Sequence, residues 1–159
     1  MPKFRSARRV GHRADQMFDL VADVESYPEF LPLCTGLQIH QRRNDPSGRE
    51  VLISDMSVGY RGVSEHFTTR VTLDRPKHKI LVEYVDGPFS HLENIWHFHG
   101  EGGSKTIRAC RVEFFIDYEF RNKMLGGLMG SMFDSAFRKF AEAFEARADI
   151  VYGTGGAAE

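Results

Sequence analysis

The sequence lacks several features that would assign a function directly. It has no run of about 18 consecutive apolar residues, so we expect no membrane-spanning helix. It also lacks the Walker loop, the dinucleotide-binding glycine motif, the G-x-S-x-G motif of hydrolases and the H-E-x-x-H motif of zinc proteases. Its formal net charge is −1, which gives no general signal for a polyanion such as DNA. The sequence therefore does not favour the enzyme classes that these motifs mark, and DNA is not an expected partner.

Cysteine is scarce, and the two cysteines are too far apart in sequence to form a C-x-x-C metal or redox motif. Cys34 and Cys110 are the two cysteines in 159 residues, a usage that favours a reducing compartment. Five basic residues precede the first acidic residue, Asp15, but the apolar segment of a secretory signal is missing. We interpret this basic segment as a first strand and expect a cytoplasmic protein, with peripheral contact at the inner membrane left open.

The size and composition are those of a globular protein with one core. Of its residues, 42% are hydrophobic and 27% are charged, and no linker or repeat divides the chain. We expect a single domain over residues 1–152. The small, glycine-rich segment 153–159 is expected to be a disordered tail.

The last long segment, residues 122–149, has the pattern of an amphipathic helix. Apolar residues recur at steps of three and four, with charged residues between them. The pattern predicts one helix roughly 40 Å long, at about 1.5 Å per residue. Gly126, Gly127 and Gly130 weaken its first turns, which indicates close packing, a frayed start or a hinge. The apolar residues that would line a pocket on this helix are Leu125, Leu128, Met129, Met132 and Phe133.

Seven segments alternate apolar and polar residues, as strands with one buried face do. Two short helical segments follow the first strand, and the second merges into a loop that is unusually apolar and contains Pro28 and Pro32. A curved antiparallel sheet wrapped around the long C-terminal helix satisfies every element, so we predict an α+β fold. The expected strands are 3–10, 37–43, 50–58, 63–73, 79–85, 91–99 and 105–120.

Histidines on the predicted strand 91–99 have a spacing that suits a metal ion. His97 and His99 would share a face with His91 and Glu93. That face is opposite Trp96, and we take it as outward. Solvated surface histidines are the simpler interpretation, and we predict no metal site.

Polar residues on the inward faces are the candidates for chemistry: Asn94, Tyr84, Tyr118 and Glu65. A general acid or base needs a partner within hydrogen-bond reach, and the sequence identifies none, so we predict no catalytic residue. The alternative is that these side chains form hydrogen bonds with backbone groups of the sheet or loops. Trp96, the single tryptophan, and its aromatic neighbours would either line a pocket for a flat or isoprenoid ligand or fill a core. The candidate lining residues on the strands are Phe67, Leu92, Asn94, Trp96, Phe98, Phe114 and Tyr118.

Three separated segments carry a resemblance to a known family. They are residues 21–34 (VADVESYPEFLPLC), residues 87–98 with GPF and LENIWHF, and residues 116–120 (IDYEF). Together they resemble the coenzyme Q-binding START-domain family of the polyketide cyclase superfamily, whose bacterial relatives include ribosome association toxins. The resemblance spans about residues 3–150 and implies the helix-grip fold. Leu33 departs from the family, whose members often carry tryptophan there.

The resemblance implies a non-catalytic carrier or chaperone that holds ubiquinone between the sheet and the long helix and supports respiratory electron transport. The quinone ring would stack near Trp96 with Asn94 or Tyr118 at a carbonyl, and the isoprenoid tail would run along the helix. Carried over from the family's loop and strand motifs, the implied residues are Tyr27, Pro28, Phe30, Leu31, Pro32, Cys34, Asn94, Trp96 and Phe98.

Two other functions remain open. The toxin relatives imply a protein that binds the 50S ribosomal subunit and blocks subunit joining. A polyketide cyclase-type enzyme shares the fold and is the less favoured alternative. A ribosome-binding surface would use the basic first strand with Arg42, Arg43, Arg121 and Lys123. The alternative interpretation is that these residues are ordinary surface charges.

Overall fold

The structure is a computed structural model that describes residues 3–60, 62–100 and 108–153, without the side chains of Tyr60, Val63 and Leu128. Within these residues the chain forms a seven-stranded antiparallel sheet. The first strand lies at one edge beside the last strand, and the other strands pair in chain order. The strands are β1 Lys3–Val10, β2 Cys34–Asn44, β3 Glu50–Tyr60, β4 Val63–Asp74, β5 Lys79–Asp86, β6 Phe89–Gly100 and β7 Cys110–Phe120.

The alternation of the sequence becomes the two faces of this sheet. Along β7, the apolar residues from Cys110 to Tyr118 are buried at every second position, and the residues between them are half-buried or exposed. Register shifts place extra residues in β2, β5 and β6, and such bulges increase the local twist and bend the sheet. The predicted strand start at Lys105 lies outside the described residues, and β7 begins at Cys110.

Helices cover the inner face of the sheet, as predicted for an α+β fold, which is confirmed. None of the helices in the described part of the chain is long and apolar enough to cross a membrane. The tail predicted to be disordered, residues 153–159, lies outside the described residues apart from Gly153. The helices are α1 Ala14–Ala22, a 3₁₀ helix Val24–Glu29, α2 Lys123–Arg138 and α3 Phe140–Tyr152.

The prediction of one continuous helix over residues 122–149 is wrong, because the chain breaks at Lys139. Its φ and ψ are −98° and −3°, and its amide donates to the carbonyl oxygen of Ala136 at 3.0 Å, one residue short of α-helical spacing. The break lets two parts of one apolar stripe reach different parts of a curved sheet. Phe133 in α2 packs on Phe89, while Phe144 in α3 packs on Trp96.

The start of α2 is fixed by capping. Asn122 Oδ1 accepts hydrogen bonds from the amides of Met124 at 2.8 Å and Leu125 at 3.3 Å. A Cβ added at Gly126 would lie 3.4 Å from the Cβ of Phe120, an ordinary van der Waals contact, so packing does not require glycine there. Gly127 and Gly130 face open space, and packing does not explain them.

The outer end of α3 is tied to the start of the chain. Arg8 Nη2 lies 2.8 Å from Glu145 Oε1, and buried His12 lies 2.7 Å from Asp149 through Nε2 and Oδ1. The Tyr152 hydroxyl donates to the carbonyl oxygen of Gln16 at 3.1 Å. These contacts hold α3 against β1 and α1, so the sheet is closed at this end.

Candidate functional site

A small cavity lies between the inner face of the sheet, α3 and the 3₁₀ helix. Its volume is about 60 Å³, which is room for roughly two water molecules at about 30 Å³ each. Ligand pockets for small molecules typically measure about 300–1,000 Å³, so the cavity must widen to hold a quinone. Its lining residues are Val24, Tyr27, Leu31, Leu37, Ser54, Met56, Thr69, Val71, Val82, Asn94, Trp96, Phe140 and Phe144.

Trp96 forms one wall of this cavity, as the alternation along β6 predicts. The side chain is 2% exposed. Its ring meets Phe114 edge-on at 4.7 Å and Phe144 edge-on at 5.1 Å between centroids. It also lies nearly parallel to Phe98, with centroids 6.0 Å apart. The indole is therefore held rigidly, with a side open to the cavity.

Three polar side chains interrupt the otherwise apolar walls. Ser54 and Thr69 are direct cross-strand partners, and their hydroxyl oxygens lie 3.4 Å apart in a buried position. Asn94 donates from Nδ2 to the carbonyl oxygen of Phe115 at 2.9 Å, which fixes the amide. Sequence reasoning missed Ser54 and Thr69 as site residues, although a small polar residue within an apolar inward alternation is a usable signal.

Two other inward polar residues, Tyr84 and Glu65, lie outside the cavity lining. The Tyr84 hydroxyl accepts a hydrogen bond from the amide of Phe89 at 3.1 Å, as the alternative interpretation expected. Glu65 lies opposite Val58 in the sheet and is not part of the cavity lining.

The apolar loop after the 3₁₀ helix covers the cavity together with α3. Phe144 makes edge-on contacts with the rings of Tyr27 at 5.2 Å and Phe30 at 5.1 Å. Arg147 in α3 pairs with Glu29 at 2.6 Å, and its guanidinium lies 5.1 Å above the Phe30 ring. The Tyr27 hydroxyl donates to the carbonyl oxygen of Val21, and burial raises the pKa of Tyr27.

Of the predicted loop residues, Tyr27 and Leu31 line the cavity, while Phe30 supports it from behind. Pro28 is exposed and lies away from the lining. Cys34 is buried, and burial raises the pKa of its thiol to about 11. The loop prediction therefore identifies the cover of the cavity, with two of its residues as walls.

A surface groove of about 380 Å³ lies on the other side of this cover. Pro32 and Leu33 line it from the loop, and residues from Ser131 to Lys139 line it from α2. Leu33 has a φ of 67°, a left-handed conformation that costs energy for a residue with a side chain. Leu31 and Phe140 line the cavity, and their chain neighbours line the groove. The same two segments therefore separate the two spaces.

Several predicted lining residues are packed under α2, in a part of the same core that aromatic side chains fill. Phe89 lies at its centre, with ring centroids 5.2 Å from Phe67, 6.1 Å from Tyr118 and 6.0 Å from Phe133. The Tyr118 hydroxyl is buried without a hydrogen-bond partner among the described residues, and burial raises its pKa to about 12. Leu92 and Met129 are buried as well, Leu125 and Met132 pack at the margin, and the Leu128 side chain lies outside the described part.

Phe98 and Phe114 are buried beside the cavity rather than in it. Phe98 meets Phe18 of α1 edge-on at 6.2 Å, and Phe114 lies 6.1 Å from Phe4 of β1. The structure thus brings Tyr27, Leu31, Asn94 and Trp96 together at one cavity. Of the residues predicted to contact an isoprenoid tail, Phe133 packs on Phe89 in the core under α2 rather than at the cavity.

Part of the predicted basic surface is paired with carboxylates. Arg8 pairs with Glu145 at 2.8 Å, Arg13 with Asp15 at 3.0 Å and Arg42 with Glu25 at 3.2 Å. Pairing of this kind lowers the field that a polyanion would meet.

On the opposite, outer face of the sheet, His97 and His99 are half-buried, as expected for the outward face of β6. The carboxylate beside them is Glu113 of β7 rather than the predicted Glu93. His91 is separate and lies 3.1 Å from Asp117. Burial, together with the neighbouring His99, lowers the pKa of His97.

A curved antiparallel sheet closed by C-terminal helices over an interior cavity defines the class of START-like, helix-grip proteins. A profile of the family described as "Polyketide cyclase / dehydrase and lipid transport" matches residues 10–145. The chain belongs to this family, and the resemblance found in the sequence is confirmed.

The relatives carry two kinds of name. Ribosome association toxin RatA of Escherichia coli K12 is 38% identical over 152 residues, covering 96% of this chain and 90% of the toxin. Coenzyme Q-binding protein COQ10 homolog B, mitochondrial, of Xenopus laevis is 28% identical, covering 95% of this chain and 59% of that protein. The solution structure of the 18 kDa protein CC1736 of Caulobacter crescentus superposes with a TM-score of 0.74 at 34% identity, covering 97% and 100% of the two chains.

Proposed function

We propose that this protein binds a hydrophobic small molecule, ubiquinone or a similar isoprenoid lipid, between the sheet and α3, and acts as a non-catalytic carrier. The observation that carries the proposal is the interior cavity with Trp96 as one wall and Ser54, Thr69 and Asn94 as isolated polar groups. A flat ring with carbonyl oxygens suits such a wall, because mostly apolar pockets orient ligands through a few polar contacts. Lipid transport in the family's description and the coenzyme Q-binding relative support the same class.

The polar groups of the cavity favour binding over acid–base catalysis. Two are hydroxyls and one is an amide, and none of the three is a general acid or base at neutral pH. The contact between Ser54 and Thr69 is long, at 3.4 Å, so either hydroxyl can turn to donate to a carbonyl oxygen at small cost. Each Å² of apolar tail surface that is buried contributes about 25 cal/mol, which supplies affinity without a charged contact.

Entry of the ligand requires the cover to move. Because the loop around Leu31 and the chain around Lys139 separate the cavity from the surface groove, displacing them joins volumes of about 60 Å³ and 380 Å³. The break between α2 and α3 at Lys139 supplies a place where the helices can change their angle. The ion pair of Arg147 with Glu29 holds the closed position.

Fluorescence of Trp96 tests this proposal, since it is the single tryptophan and lines the cavity. Addition of a short-chain ubiquinone is expected to quench the emission saturably. Thr69→Val removes one hydroxyl and is expected to weaken binding by about fivefold, as loss of a hydrogen bond of about 1 kcal/mol does. Thr72→Val is the matched control, because Thr72 is on the same strand with its side chain on the opposite face. Linear, unsaturable quenching would contradict the proposal.

Native mass spectrometry tests the carrier role. Protein purified from a ubiquinone-producing host is expected to retain a quinone at near-stoichiometric level, identified after organic extraction. Protein that is empty and takes up no quinone on incubation would remove the carrier assignment.

Peripheral contact of a cytoplasmic protein with a membrane would serve loading of such a carrier. Met124 is 75% exposed and Val85 is 52% exposed. Their segments meet where the Arg121 amide donates to the carbonyl oxygen of Pro88 at 2.8 Å. Flotation of the protein with liposomes that contain ubiquinone is expected to decrease in the Met124→Ser variant. Ile150→Ser is the control, because Ile150 is an equally exposed apolar residue of a helix, and it should leave flotation unchanged.

Binding to the large ribosomal subunit is the second candidate function, favoured by the identity and coverage of the toxin relatives. The paired arginines leave few cations for phosphate contacts, so we expect weak binding that falls only gradually between low and physiological salt. Co-sedimentation with 50S subunits at both salt concentrations is the test. Binding by the wild type that persists in Thr69→Val would assign a surface separate from the cavity, and absence of binding even at low salt would remove this candidate.

A further inference from the structure

Three metal-ligating side chains converge on the outer face of the sheet, away from the cavity. His97 and His99 come from β6, and Glu113 of β7 is the direct cross-strand partner of His97. One ligand atom from each residue lies within 4.8 Å of the others. The cluster depends on strand pairing, because its members are brought together from two separate segments.

The distances within the cluster approach those of a coordinated ion. Glu113 Oε1 lies 2.7 Å from His99 Nε2 and 3.9 Å from His97 Nδ1. Bonds of about 2.0–2.2 Å to Zn²⁺ place two tetrahedral ligands roughly 3.4 Å apart, between these two values. The side chains are 34–43% exposed, so small rotations of the rings and the carboxylate are sterically free.

The surroundings orient the carboxylate for this role. Arg111 Nη2 lies 3.3 Å from Glu113 Oε2, the oxygen that neither histidine contacts. Metal-bound carboxylates are commonly held in this way by a second hydrogen bond. The metal would replace the hydrogen bond between His99 Nε2 and Glu113 Oε1, and the neutral imidazole would then carry its proton on Nδ1.

We propose that His97, His99 and Glu113 bind a divalent transition-metal ion of the Zn²⁺ type, with its remaining positions open to water. Two imidazoles and one carboxylate form a donor set that suits such ions, whereas Ca²⁺ and Mg²⁺ prefer oxygen ligands alone. A surface groove of about 470 Å³, lined by Arg5, Lys79 and Ile95 together with His97 and Glu113, leaves space for the open positions. The cationic neighbours weaken the site, and we expect a micromolar dissociation constant.

Titration of tag-free protein with Co²⁺, followed by visible absorption and by competition with Zn²⁺, tests the site. The wild type is expected to bind one ion. His97→Ala, His99→Ala and Glu113→Gln should each weaken binding at least tenfold with unchanged circular dichroism. His91→Ala is the matched control, because His91 is on the same strand and face and is paired with Asp117. Wild-type protein without a Co²⁺ spectrum, or a His91→Ala effect equal to that of the three ligand variants, would overturn the proposal.

Discussion

Truncation of Phe144 removes the side chain that joins the cover of the cavity to its wall. Phe144 is 1% exposed, and its ring makes edge-on contacts with Tyr27, Phe30 and Trp96 at 5.1–5.2 Å. Phe144→Ala is therefore expected to destabilise the fold and loosen the cover together.

The magnitude follows from burial and from the adjacent cavity. A Phe→Ala substitution in a core lowers the free energy of unfolding by about 3–5 kcal/mol, and each aromatic pair contributes about 0.5–1.5 kcal/mol. Because the vacated space joins an existing cavity, the walls are less able to close, and we expect about 4 kcal/mol. Phe144→Leu keeps apolar volume but loses three aromatic contacts, and we expect about 1.5–2 kcal/mol. For a chain of this size, about 4 kcal/mol corresponds to a fall in Tm of roughly 8–16 °C.

Urea unfolding followed by Trp96 fluorescence and by circular dichroism measures both variants. Ile150→Ala is the control on the same helix, since Ile150 is 76% exposed and should change stability by less than about 0.5 kcal/mol. A short-chain quinone should raise the Tm of Phe144→Ala at least as much as that of the wild type, because it fills the enlarged space. A loss below about 1 kcal/mol for Phe144→Ala would refute this account of the cover.

Three further predictions concern polar groups. The buried Tyr118 hydroxyl lacks a partner in the described part of the chain, so Tyr118→Phe should leave the unfolding free energy unchanged or raise it by about 1 kcal/mol in urea melts; a clear loss would show that the hydroxyl is bonded. A hydrogen bond from Thr68, with a second contribution from His40, lowers the pKa of Asp55 below 3.8. This contribution to stability is present above pH 3.8 and is lost as the pH falls through the lower folded-state pKa, so the destabilisation by Thr68→Val should shrink in acid; a difference that is constant down to pH 2 contradicts the assignment. Because burial raises the pKa of Cys34 to about 11, its thiol should react with a disulfide reagent at pH 8 far more slowly in native than in unfolded protein, and equal rates would contradict its burial.

The sheet could be predicted from the sequence because strand alternation has a period of two residues and depends on local order alone. The inward position of Trp96 and the outward position of His97 follow from the same alternation. Register is non-local, however, and the placement of Glu113 opposite His97 could not be read from either strand separately.

The break in the helix at Lys139 also cannot be predicted from the local sequence pattern. Neither proline nor glycine stands there, and the apolar stripe continues through it, so periodicity predicts a single helix. On its two sides, Phe133 contacts Phe89 and Phe144 contacts Trp96, contacts between distant segments that local periodicity does not contain.

The most direct test of the central claim is photo-crosslinking with a ubiquinone analogue that carries a photoreactive group on its ring. The account predicts that labelled peptides contain Trp96, the Tyr27–Leu31 loop or Phe144, and that excess unlabelled quinone abolishes the labelling. Labelling that falls on the outer face of the sheet, or that competitor does not reduce, would contradict a binding site between the sheet and α3.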